Sequence, residues 1–150
     1  MIGAGRTGRA AREAALGVGV ALAGARVALA AEITLEGLES LPPADIVILG
    51  EYHDNPAHHA NQARAVAAIG PSALVFEMLS PDQAARVTPE LRADAAALGS
   101  ALEWGSSGWP DFAMYHPIFT AAPEAPVVGA ARPRSEVRAA FSQGAAAVFG

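Results

Sequence analysis

The chain has 150 residues, a formal net charge of −5, and neither cysteine nor lysine. This length suits one domain, or the first part of a larger one. Without cysteine, disulfides, thiolate metal sites and a lipid-modified cysteine are all excluded.

Residues 1–30 have the layout of a secretory signal. Arginines at the start precede an uncharged stretch, residues 14–25. Ala28-Leu29-Ala30 then has small residues at the two positions that a signal peptidase recognises before its cleavage site. The uncharged stretch is about half as long as a membrane span. The sequence therefore predicts an exported protein that is cleaved after Ala30 and is periplasmic or secreted. A mis-assigned start or an alanine-rich helix is the alternative.

The mature domain is strongly acidic. Removal of residues 1–30 leaves six arginines against fourteen acidic residues, a net charge of about −8. Such a charge repels nucleic-acid phosphates and anionic lipids. We therefore expect no nucleic-acid partner, and we expect neither a membrane span nor a lipid anchor.

Three short apolar runs, residues 46–49, 73–76 and 126–129, recur along the chain. None alternates polar with apolar residues, which is typical of strands buried on both faces. Because helical stretches separate them, the runs predict an α/β fold with a mainly parallel sheet and flanking helices, built from βαβ units. Three strands would leave an apolar edge, so we expect an incomplete or truncated domain.

The helical stretches carry clear start and stop signals. Asn55-Pro56 opens a helix that Gly70 ends near residue 69. A capping box at residues 80–83 opens a second helix, and residues 88–99 form a third. Residues 104–123 read as a long ordered loop with one helical turn, and a last helix covers about residues 135–141.

Polar residues follow each apolar run, at the sheet edge where ligands bind in parallel folds. Glu51 and His53 follow the first run and point to the same side if the backbone is extended. Glu77 follows the second run, and Arg132 and Arg134 follow the third.

Carboxylate and imidazole groups at this density suit a divalent metal ion or a base that a carboxylate orients. Glu51, His53 and Glu77 are the candidates for both roles. Structural alternatives remain open, since Glu51 could cap a helix and His58 and His59 could be solvated residues of the first helical turn.

The motifs resemble those of the ChaN-like haem-binding proteins, within a superfamily that includes Tiki-type peptidases and erythromycin-esterase-like enzymes. The resemblance covers about residues 44–140. The matching motifs are Leu49-Gly50-Glu51-Tyr52-His53-Asp54-Asn55-Pro56-Ala57-His58-His59 with Gln62, Val75-Phe76-Glu77-Met78, Trp109-Pro110-Asp111-Phe112 with Tyr115 and Pro117, and Ala130-Ala131-Arg132-Pro133-Arg134.

The resemblance implies that residues 31–150 are an exported α/β domain that binds haem without catalysis and serves haem and iron uptake. It also allows a homodimer.

Tyr115 is the favoured axial ligand of the iron, because His53 already has Glu51 as a partner. Tyr115 could equally be a core tyrosine. The other candidate ligands are Tyr52, His53, His58 and His59, and the candidate propionate contacts are Arg132, Arg134 and the helix N-terminus at His58 and His59.

Two other functions remain open. In a metal-dependent hydrolase, an esterase or a peptidase, His53 would be the base, and Glu51 and Glu77 would bind the metal or orient the imidazole. Alternatively, the chain is a non-functional truncated remnant.

Overall fold

The structure is a computed structural model that describes residues 32–150. The predicted signal segment, residues 1–30, lies outside the described residues. Within residues 32–150, every helix is too short or too polar to cross a bilayer.

The described residues form helices around a small sheet. The α-helices are α1 Pro56–Ile69, α2 Pro81–Ala84, α3 Pro89–Arg92, α4 Ala95–Ala101, α5 Phe112–Ala121, α6 Arg134–Gln143 and α7 Ala145–Phe149; the strands are β1 Leu74–Phe76 and β2 Val127–Gly129; and the 3-10 helices are Glu36–Ser40 and Trp104–Ser106.

The two strands are parallel, with Leu74 opposite Val127 and Phe76 opposite Gly129. Helices α2 to α5 connect them, so the predicted βαβ unit and the α/β class are confirmed. Each strand has an exposed outward valine, so the strands are not buried on both faces as predicted.

Residues 46–49 form no strand, and the side chains of Ile46 and Ile48 are largely exposed. A strand needs a hydrogen-bonded neighbour, and this run has none among residues 32–150. The strand prediction for residues 46–49 is therefore wrong, and a mainly parallel sheet is not confirmed.

The capping signals are confirmed at two helices. The Asn55 side chain accepts the backbone N–H of Ala57 at the start of α1, and Gly70, with φ of 57°, ends that helix. Ser80 and Gln83 form the predicted capping box of α2.

Two helical predictions need correction. Helix α5 lies where a loop was predicted for residues 104–123, because the Asp111 side chain caps it and the helix accommodates Pro117. The predicted helix at residues 88–99 is two helices, since Asp94 begins α4 with its own side-chain cap.

The core lies between the sheet and helices α1, α4 and α5. Helix α1 packs along α5, and the rings of Phe76 and Phe119 stack with centroids 4.3 Å apart. Tyr115 and Phe119 are fully buried on α5. This packing places the start of α1 beside the inner face of α5.

A buried arginine fixes the chain between α5 and β2. The guanidinium of Arg92 donates to the carbonyl oxygens of Ala122, Pro123 and Ala125 at 2.8, 2.7 and 2.5 Å. These carbonyls lie in the segment between α5 and β2, so Arg92 provides donors to backbone groups outside regular structure.

Candidate functional site

Glu51 is the centre of a polar cluster that we call the His53 cluster, consisting of Glu51, His53, His59, Glu77 and Tyr115. Its Oε1 lies 2.9 Å from Nδ1 of His53, and its Oε2 lies 3.1 Å from Nδ1 of His59. The Glu51 side chain is only 7% exposed. Burial alone would raise the pKa of Glu51, but the hydrogen bond from His53 and the charge of His59 are among the effects that outweigh burial and lower the pKa. Glu51 is therefore ionised at neutral pH.

The contacts of His53 determine which ring nitrogen carries its proton. Ionised Glu51 can only accept, so in the neutral His53 ring Nδ1 carries the proton and Nε2 has the lone pair. Nε2 lies 3.9 Å from Oε1 of Glu77, whose side chain is exposed. The His53 ring meets the Trp109 ring edge to face, with centroids 4.6 Å apart, and its side chain remains 44% exposed. In many metal-binding histidines a carboxylate accepts the N–H of one ring nitrogen, and the other ring nitrogen binds the metal.

His59 and Tyr115 lie beneath His53 and are fully buried. Nε2 of His59 and the hydroxyl of Tyr115 both donate to the backbone carbonyl oxygen of His53, at 2.9 and 3.1 Å. The two rings are in contact, with centroids 4.1 Å apart. Burial, followed by the charge of Glu51, raises the pKa of Tyr115 well above its usual value. The phenol that the sequence favours as axial ligand therefore faces the interior and stays protonated.

Tyr52 and His58 contact each other, and among residues 32–150 neither side chain forms an ion pair or a hydrogen bond with Glu51. The backbone N–H of Tyr52 donates to Nδ1 of His58 at 2.9 Å, and the two rings lie 5.6 Å apart. Because Nδ1 accepts this bond, Nε2 of neutral His58 carries the proton and has no lone pair for a metal. Tyr52 is exposed.

Arg132, one of the two arginines predicted to bind the propionates, has partners outside the His53 cluster. Arg132 pairs with Glu136 at 3.1 Å, and its guanidinium lies 5.1 Å from the centre of the Phe149 ring. Within residues 32–150, neither Arg132 nor Arg134 forms an ion pair or a hydrogen bond with the His53 cluster. Propionate binding by Arg132 and Arg134 stays a prediction.

The N-terminus of α1 has no free donor for a propionate in its first three positions. Pro56 has no N–H, Ala57 donates to the Asn55 side chain, and His58 donates to the Asn55 carbonyl oxygen. Anion binding at a helix start depends on unsatisfied N–H groups.

The predicted metal ligands are brought together but do not form a metal cage. Among the residues that the structure describes, no group of three histidine or acidic side chains is arranged to hold a metal ion. Both oxygens of Glu51 face histidine nitrogens, and Glu77 lies next to His53 instead of pointing to a shared centre. Metal binding by Glu51, His53 and Glu77 stays a prediction.

Two contacts at the site were not predicted from the sequence. His59 and Gln62, three residues apart on α1, both turn toward residues 49–53, where Gln62 donates to the Leu49 carbonyl oxygen at 2.9 Å. That spacing was the available signal, since such residues share a helix face. The contact between Trp109 and His53 joins residues 56 positions apart, and no local pattern indicates it.

A sequence model of the family described as "Haem-binding uptake, Tiki superfamily, ChaN" matches residues 37–150. No curated protein and no solved structure matches. The family match includes every residue of the His53 cluster.

Proposed function

Since the chain belongs to the ChaN family of haem-binding uptake proteins in the Tiki superfamily, we propose that it binds haem through His53 and serves haem and iron uptake. The signal-like segment at residues 1–30 supports export to the periplasm or the medium. The homodimer that the sequence allows stays a prediction, and the mass of the hemin complex in solution tests it.

The observation that carries this proposal is the free Nε2 of His53. Haem iron accepts a histidine nitrogen as axial ligand. Glu51 fixes the tautomer and raises the basicity of the ring, as carboxylates do for metal-bound histidines. Glu77 is exposed, so it can turn into solvent when the iron takes its place beside Nε2.

The surface beside His53 suits a flat apolar ligand. Trp109 contacts the His53 ring and also lines a cleft of about 510 Å³ with Trp104, Phe112 and small residues such as Gly99. Aromatic and small residues of this kind line most pockets that hold planar organic groups. Arg132 and Arg134 stay the predicted contacts of the propionates.

Hemin titration of the mature domain tests the proposal. We expect a shifted, saturable Soret band for the wild-type protein. His53→Ala should lose the coordination signature, because no other free imidazole nitrogen lies at this position. His58→Ala is the matched control and should retain that signature. Hemin binding no stronger than to an unrelated acidic protein would refute haem binding, and an unchanged spectrum for His53→Ala would refute the assigned ligand.

A metal-dependent hydrolase is the second candidate, because an ionised Glu51 that holds Nδ1 of His53 would also orient a general base. On this hypothesis Glu51→Gln should lower ester or peptide turnover about 10²-fold or more, since it removes charge and keeps shape. The haem-binding proposal expects no such turnover in the wild-type protein, with or without added divalent metal.

A further inference from the structure

The backbone carbonyl oxygen of His53 is held by two buried side chains. Nε2 of His59 donates to it at 2.9 Å, and the Tyr115 hydroxyl donates at 3.1 Å. A carbonyl oxygen has two lone pairs, so these two donors use its full accepting capacity.

The two donors lie in a well-packed region of residues 32–150. His59 lies on α1 and Tyr115 lies on α5, and the two helices pack along each other. Both side chains have no exposed surface. Residue 53 itself lies in a turn without regular structure, next to the exposed side chain of Tyr52. Hydrogen bonds from the two helices therefore fix a turn that has no regular structure of its own.

We propose that His59 and Tyr115 are positioning residues, which fix the peptide at residue 53 and so direct the His53 imidazole toward its ligand without touching that ligand. The inference rests on the proposed binding of haem through His53. It assigns Tyr115 a different role from axial ligation.

The same geometry opposes direct ligation by either residue. For its oxygen to reach an iron atom, Tyr115 would have to leave both the His53 carbonyl and the ring of His59. His59 has one nitrogen on the His53 carbonyl and the other 3.1 Å from Glu51. His53, in contrast, is held at its carbonyl by two donors and at Nδ1 by Glu51, and only its Nε2 side is open. Such fixation of both backbone and ring is what a binding group needs to be preorganised.

Hydrogen exchange of the haem-free protein tests the positioning role independently of ligand binding. The backbone N–H of Asn55 donates to the Tyr52 carbonyl oxygen at 2.9 Å and closes the turn that contains residue 53. Tyr115→Phe removes one hydrogen bond and keeps the ring, so we expect the Asn55 amide to exchange about fivefold faster. The buried Leu98 amide on α4 is the internal reference and should change less. Tyr52→Phe, at the exposed tyrosine of the same turn, should leave both rates unchanged.

Hemin titration of the same variants separates a positioning residue from a ligand. Tyr115→Phe should keep the wild-type coordination signature and weaken binding about fivefold, because a smaller fraction of the protein presents His53 correctly. A changed signature would overturn the inference, and so would an unchanged exchange rate at Asn55. If the wild-type protein binds no hemin, the proposed function fails, while the exchange experiment still decides whether Tyr115 fixes the turn.

His59 provides a second test that includes a rescue. His59→Ala should accelerate exchange at Asn55 and weaken hemin binding. His59→Gln should restore part of both, because its amide nitrogen can donate to the same carbonyl oxygen. If His59→Gln behaves like His59→Ala in a folded protein, the hydrogen bond to residue 53 is not what positions it, and the inference is wrong for His59.

Discussion

Helices α1 and α5 differ from α6 and α7 in what covers their apolar side chains. Helix α1 packs along α5 and encloses Tyr115, whereas α6 and α7 pack mainly on each other. Phe119 on α5 is fully buried, and Phe141 on α6 is 97% exposed. The difference teaches that the signals that start and end a helix do not determine which surface covers its apolar side chains.

The largest expected effect contrasts these two phenylalanines. Phe119→Ala should lower the free energy of unfolding by about 3–5 kcal/mol, because it removes a stacked ring from the core and leaves a cavity. Phe141→Ala should change it by less than about 0.5 kcal/mol. Urea denaturation measures both values. A large loss for Phe141→Ala would mean that its face is covered in solution, and the contrast between the two regions would disappear.

Two arginines extend the contrast to charged side chains. Arg92→Met should cost about 3 kcal/mol, since it removes the guanidinium donor of the Pro123 and Ala125 carbonyls and one of the two donors of the Ala122 carbonyl. Arg138→Met, on the exposed surface of α6, is the control and should cost less than about 0.5 kcal/mol. Thermal and urea unfolding of the pair test this, and equal costs would contradict the role of Arg92.

A glycine at the end of β2 provides a smaller effect. A Cβ at Gly129 would lie 2.6 Å from the Leu79 carbonyl oxygen and closer still to that of Ser80, so Gly129→Ala must push two backbone segments apart. We expect a loss of about 1–3 kcal/mol. Gly105→Ala, where the added methyl group meets open space, is the control. Similar urea midpoints for the two variants would show that the backbone at Leu79 and Ser80 can move away from residue 129 without loss of stability.

The smallest expected effect is on the pH dependence of stability. The pKa of folded Glu51 lies below its usual value, so the stability that its ionised form contributes is present above the unfolded pKa. That contribution is lost as the pH falls through the lowered folded pKa. Glu51→Gln should therefore reduce the slope of unfolding free energy against pH below about pH 4.5. An unchanged slope would contradict the assigned ion and hydrogen-bond contacts of Glu51.

The sequence predicted those features that short-range chemistry determines. Asn55 and Gly70 mark the ends of α1 because a side-chain cap and a left-handed residue act within one turn. The pairing of Glu51 with His53 is of the same kind, since the two residues are two positions apart. Asp111 carries the same kind of cap for α5, but the tryptophans and the Gly108-Trp109-Pro110 sequence favoured a loop.

Features that depend on distant partners could not be predicted in this way. The apolar run at residues 46–49 resembles a buried strand, yet a strand exists only where another backbone pairs with it. Arg92 reads as a surface residue of α3, because its partners follow about 30 residues later. Tyr115 is equally consistent with a ligand and with a core residue until the His53 carbonyl is seen beside its hydroxyl.

The parallel pairing of β1 and β2 has a kinetic consequence. Leu74 and Val127 are paired in the sheet, and the segment between them contains four α-helices. Such a pair closes a long loop before its hydrogen bonds form, and non-local parallel contacts slow folding. Helices α2 to α5 must therefore condense before the strands meet, and Arg92 can fix the returning chain only once α5 has formed. In pulse-labelled refolding, amides of α5 should gain protection before the Leu74 amide, which bonds to the Pro126 carbonyl oxygen across the sheet.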